Sequence, residues 1–276
     1  MSQSSVQQLA LEVLMTAEPR LKVVAAKDLL LRFEAGGLAV DPDCTPERIE
    51  VPGRPEQPVL VHPKDVPRRG LGSVAGQVAF YHALAHIEFN AINLGLDAVY
   101  RFAANMPTEF TRDWLQVAAD EARHFELLVA HLATLGASYG DNTAHNNLWE
   151  MALRTDHDTM VRMALVPRVL EARGLDVAPG MIDKLKHLGD QRGAEILELI
   201  LEEEVEHVAI GNRWFLAQCE ERGLDPQPTF RELLREHTRG FLSGPFNEKY
   251  RKQAGFSEQE LADLRELEAQ FASEMR

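Results

Sequence analysis

Asp120-Glu121-Ala122-Arg123-His124 and Glu203-Glu204-Val205-Glu206-His207 decide how this chain is read. Each carries Glu-x-x-His within a run of helix-forming residues, and on a helix positions i and i+3 share a face. A carboxylate and an imidazole placed this way can bind one metal ion together. Helical bundles that hold paired metals use two such motifs plus one Glu from each of two further helices. With ten histidines in the chain, a single Glu-x-x-His carries little weight, so the case rests on what surrounds the pair.

Glu88 and Glu171 supply the two additional carboxylates. Glu88 lies among Tyr81, Leu84, Ala85, Ala91, Ile92 and Gly95 at helical spacing, Glu121 among Trp114, Val117, Ala118, Phe125 and Leu128, and Glu204 among Leu197, Ile200, Leu201, Val208 and Gly211. Three carboxylates therefore sit on apolar stripes, where an uncompensated charge is costly and cations are the simplest compensation. Glu88 and Glu121 are 33 residues apart (121 minus 88), and so are Glu171 and Glu204 (204 minus 171). The two halves read as a repeat. In the first half a turn at Asn105-Met106-Pro107 brings Glu88 and Glu121 to one height. In the second, Gly174 and Pro179 argue against a simple hairpin, and a separate short helix near 179–188, broken at Gly189-Asp190, is expected.

The remainder of the chain is read as all-α. It is rich in Ala, Leu, Glu and Arg, 45% apolar, and long enough at 276 residues for a substantial core. Residues 1–37 are expected to form an N-terminal helical cap, interrupted near Glu18-Pro19 and closed by Gly36-Gly37. Residues 38–72, with prolines at 42, 46, 52, 55, 58, 63 and 67, form an extended connector. Residues 73–222 hold four core helices, near 74–104, 107–136, 144–173 and 190–222, and residues 223–276 add a C-terminal helical extension. A formal charge of −14 argues against a surface built for nucleic acid. No apolar run is long enough to span a bilayer and no signal-peptide layout is present, so the expected location is cytoplasmic. Cys44 and Cys219 are too few for a disulfide framework and are read as reduced.

These features carry a resemblance. His86-Ile87-Glu88, Asp120 to Phe125, Pro167 to Asp176 and Glu204 to Val208 resemble a bacterial family of uncharacterised ferritin-like proteins, within the superfamily of di-iron carboxylate bundles. Glu121-Ala122-Arg123-His124-Phe125 is also similar to a string in di-iron tRNA hydroxylases. The resemblance implies a ferritin-like four-helix bundle with Glu88, Glu121, His124, Glu171, Glu204 and His207 as ligands of two iron ions, with manganese or a mixed pair as alternatives. The leading expectation is an oxidase or hydroxylase that activates O2 or peroxide for a small-molecule substrate, fed by an unidentified electron donor. In it, no catalytic residue is separable from the ligands, and a homodimer is an open option. A ferroxidase or iron-handling protein and a helical protein with a structural metal clip are the alternatives.

Other residues have plainer readings. His82 and His86, four apart, are expected in the core or behind the ligands, and Tyr81 as a core aromatic. Asp120 either hydrogen-bonds a ligand imidazole or is solvated. Glu202, Glu203 and Glu206 are read as solvated or supporting, and Arg54, Lys64, Arg68 and Arg69 as solubilising.

Overall fold

A computed structural model describes residues 5–66 and 70–274 of the chain. Among these all regular secondary structure is helical, with a single isolated bridge between Leu60 and Ala144 in place of any sheet. Among the described residues no helix is long and apolar enough to cross a membrane. The chain divides into two compact units, residues 1–153 and 154–276, a division that falls inside the segment 73–222.

The first unit opens with α1 (Val6–Leu14) and α2 (Pro19–Glu34). Glu18 caps α2 by accepting from the Leu21 backbone N–H at 2.7 Å, with Pro19 at the first helical position where its missing N–H costs nothing. Gly36, at φ 73°, ends the helix in the left-handed region that glycine tolerates. The following connector has one short 3₁₀ turn, Pro63–Asp65. It is pinned through its backbone: Glu47 donates to the Tyr100 hydroxyl at 2.8 Å, and Trp149 Nε1 donates to the carbonyls of Ile49 and Glu50 at 3.2 and 3.1 Å. Arg68 and Arg69 lie outside the described residues.

Two long helices, α3 (Val74–Phe102) and α4 (Thr108–Thr134), form the hairpin expected from the first half of the repeat. They close most tightly at Gly95. A Cβ there would stand 3.0 Å from both the Trp114 carbonyl oxygen and the Ala118 Cβ. With Gly95 against Trp114, Glu88 and Glu121 each lie seven residues farther from the turn and so stand level. Beneath this hairpin, Lys22 Nζ donates to the carbonyls of Leu14 and Gly53 at 2.9 and 2.6 Å and to Asn93 Oδ1. Burial pushes its pKa down to about 7.

The expected single helix at 144–173 is corrected. Instead α5 (Asn147–Arg154) is followed by a break. The second unit then begins with α6 (Thr159–Leu165), capped by Asp158, whose backbone is extended at φ −152° and ψ 126° and whose carboxylate accepts from the Val161 N–H at 3.1 Å. Two short polar side chains before a helical run favour a cap over continuation. α6 runs into a π-helical turn, Val166–Glu171, and then α7 (Ala172–His187).

α7 also corrects the expected separate helix near 179–188, because it passes through Gly174 and Pro179 unbroken; the expected break at Gly189-Asp190 is present, with Gly189 at φ 80°. Its buried face of Ala172, Leu175, Asp176, Ile182 and Leu185 holds it against α8 (Gln191–Glu221), which Asp190 caps. That packing outweighs the intrinsic penalty of one proline. The second half is therefore a hairpin like the first.

α9 (Pro226–His237), α10 (Glu248–Gln253) and α11 (Glu258–Glu274) complete this unit. They are tied to it by buried charge: Arg251 forks onto Asp176 at 2.8 and 2.7 Å, and Arg168 pairs with Glu260.

Candidate metal centre

In the first unit the hairpin brings Glu88, Glu121 and His124 to one point. All three are buried, at 5%, 0% and 0% relative exposure, and each offers a ligand atom within 4.8 Å of the others. His124 Nδ1 is turned to both carboxylates, 3.3 Å from Glu121 Oε2 and 3.5 Å from Glu88 Oε2. Burial, and then the neighbouring Glu121 carboxylate, push the Glu88 pKa up to about 8, with His124 pulling the other way. Two carboxylates crowded into a dry core repel one another unless a proton or a cation sits between them.

In the second unit Glu204 and His207 repeat the motif geometry on α8, with His207 Nδ1 3.6 Å from Glu204 Oε1 and both residues buried. Glu171 is the last residue of the π turn, and both of its carboxylate oxygens are shielded from solvent. Pro167 packs on Gly211. Glu171 and His207 each lie four residues nearer the turn at Gly189 than this contact. The structure thus gathers three of the six sequence-derived residues in one unit, pairs two in the other, and buries the carboxylate of Glu171 at the end of the π turn.

The donor sets, carboxylate oxygen and imidazole nitrogen, suit iron or manganese rather than soft thiolate-seeking metals. A cation would offset the repulsion that raises Glu88, so a metal fits the residues present. His124 and His207 would bind through the nitrogen already facing their carboxylates.

Behind the first cluster, His86 and His82 act as ties. His86 Nδ1 lies 2.9 Å from the Tyr139 hydroxyl and its Nε2 3.1 Å from the His145 carbonyl oxygen. Burial lowers its pKa to about 4, so the ring is neutral, and Asn90 Nδ2 also lies 3.1 Å from its Nε2. His82 Nε2 accepts from the Gly140 N–H at 3.0 Å, and its ring stacks on Tyr139. Tyr139 packs in turn against Phe89 and Phe125, the immediate neighbours of Glu88 and His124. Tyr81 is a core aromatic, edge-on to His131 at 4.4 Å. Asp120 is engaged by Gln116 at 3.0 Å and Arg123 at 3.5 Å. Glu202 and Glu206 are exposed and Glu203 is half-buried.

Sequence reading did not single out Gly95, Gly211 or Tyr139. The two glycines had a visible signal, since each follows a candidate carboxylate by seven residues, Glu88 to Gly95 and Glu204 to Gly211. Tyr139 had none, because it lies beyond α4 and reaches the cluster only through tertiary packing.

Comparison with known proteins gives a consistent assignment without an activity. The chain is 45% identical over 270 residues to a Haemophilus influenzae protein described as uncharacterized, an alignment covering 94% of this chain and 93% of that one. No solved structure matches. Residues 15–262 match the family described as protein of unknown function (DUF455), and with that span and that relative the chain belongs to this family.

Proposed function

We propose that this chain is a di-metal carboxylate protein of ferritin-like four-helix architecture that binds two iron ions through Glu88, Glu121, His124, Glu171, Glu204 and His207, and that it is an oxidoreductase acting on a small-molecule substrate. The observation that carries the reading is the buried meeting of Glu88, Glu121 and His124, where like charges are crowded beyond what an apolar core tolerates. The repeat of the same motif geometry at Glu204 and His207 supports a second metal.

When bound, a pair of such metals supplies activation of O2 or peroxide. The chain's own residues have definite roles in that chemistry. Glu88 and Glu121 would hold the cation and balance its charge, and Glu88, whose pKa burial and Glu121 raise, would give up its proton in doing so. His124 would offer its Nδ1, the nitrogen turned to both carboxylates, as a ligand atom. Phe89, Phe125 and Tyr139 keep water from the carboxylates on one side.

Loading the full chain with Fe(II) in air and counting metal tests the proposal. About two irons per chain are expected, with Glu121→Ala and His207→Ala each losing metal. Fewer than one iron per wild-type chain would end the metal reading. Gel filtration of the loaded protein separates an enzyme from an iron-storage shell, which would elute as a large cage.

A further inference from the structure

We propose that Gly211 and Pro167 act as a steric gauge that positions Glu171 for the second metal, an inference that rests on the two-metal reading above. The starting point is an asymmetry between the halves. Glu88 sits in an uninterrupted α-helix, whereas its counterpart Glu171 ends a π turn, Val166–Glu171. A π turn accommodates an extra residue and rotates everything after it relative to an α-helix. Pro167 explains why it forms here: it has no N–H to donate, and its ring would strike the carbonyl of Met163 one turn back. Val166, at φ −80° and ψ −71°, already departs from ideal helix.

What holds the turn at one rotation is contact on two sides. On one side the Pro167 ring lies on Gly211, where a Cβ would come within 2.2 Å of Pro167 Cγ and 2.3 Å of its Cβ. Only glycine fits without displacing the ring. On the other side Arg168, fully buried, is surrounded by the rings of Phe215, Phe230 and Phe256, 4.4, 3.8 and 4.9 Å from its guanidinium carbon, and is paired with Glu260. The turn therefore cannot retreat from a push at Pro167. Four residues later the chain presents Glu171, whose carboxylate oxygens are shielded from solvent. A methyl group at 211 would be transmitted along this short rigid path to the carboxylate.

Gly211 touches no candidate metal, so it is a positioning residue, and its test reads metal binding rather than stability alone. Wild type, Gly211→Ala and Pro167→Ala/Gly211→Ala chains would be titrated with Co(II) and Fe(II) against a competing chelator, with melting temperatures measured alongside. Gly211→Ala is expected to keep its first metal and weaken the second by about 10–100-fold, the cost typical of disturbing groups that orient a ligand. The double variant, in which the new methyl fills the space that the lost ring leaves so that the contact closes again, is expected to recover most of that affinity.

A Gly211→Ala chain that binds both metals as tightly as wild type would overturn the inference, whatever its melting temperature. So would a double variant as weak as the single one. If Gly211→Ala does not fold, Pro167→Ala alone decides: it opens the contact and is expected to weaken the second metal by a similar factor, and unchanged binding refutes the gauge. Wild-type protein that binds no metal at all would overturn the two-metal reading itself, a result distinct from any difference among variants.

Discussion

Glu88 shows how one residue links burial to pH dependence. In the metal-free chain it titrates at about 8 against 4.5 when exposed, raised by burial and by Glu121. Between those values the folded state holds a proton that the unfolded state has released. Its contribution to stability is therefore present below about pH 4.5 and is lost as pH rises toward 8. Metal-free wild type should lose urea resistance across that window, and Glu88→Gln, which cannot ionise, should lose less. Equal slopes for the two proteins would show that the charge at Glu88 is not responsible. Lys22 is a second buried ionisable residue but has a structural role. Lys22→Met would leave the carbonyls of Leu14 and Gly53 and the Asn93 side chain without their donor, costing roughly 3 kcal/mol or more. Chemical denaturation measures it, and a loss under ~1 kcal/mol would mean that water replaces the ammonium group.

At the scale of elements, the two hairpins share a design: a glycine seven residues past a carboxylate lets the helices approach, and the register then sets ligand heights. Gly95→Ala places a methyl 3.0 Å from the backbone oxygen of Trp114, which cannot swing aside as a side chain can. Overpacking of this kind costs about 1–3 kcal/mol, and the spreading of α3 from α4 should weaken metal binding at Glu88, Glu121 and His124 together. Differential scanning calorimetry and metal titration of the same sample check both parts. A destabilised variant with unaltered first-site affinity would show that helix spacing does not govern the cluster. The C-terminal helices have a comparable role in the second unit. Glu260→Gln removes the charge that compensates Arg168 deep among aromatic rings, and breaking such a pair costs about 3–5 kcal/mol.

For the whole molecule, metal and stability are coupled. A ligand that binds only the folded chain stabilises it by about 2.7 kcal/mol at a free concentration one hundred times its Kd. Fe(II) or Mn(II) should accordingly raise the melting temperature, chelation should reverse the rise, and a His124→Ala/His207→Ala chain should not respond. A wild-type melting temperature indifferent to metal would contradict the proposed function. Relief of crowded negative charge makes this response larger near pH 8 than near pH 5, because at the lower pH a proton already occupies Glu88.

Much of this was legible in the chain itself. The helical class, the first hairpin and the candidacy of Glu88, Glu121, His124, Glu204 and His207 follow from periodicity and spacing, because an α-helix converts sequence intervals directly into positions on a face. That conversion fails where the helix stops being regular. The break before Asp158, the unbroken passage of α7 through Pro179 and the π turn beneath Glu171 depend on what packs against them: a cap competing with helix continuation, a buried apolar face outweighing one proline, and a ring pressed on Gly211. Spacing and apolar surroundings therefore nominated the candidate ligands, while only the tertiary structure decided how Glu171 is presented, since its rotation is set by contacts with residues distant in the chain.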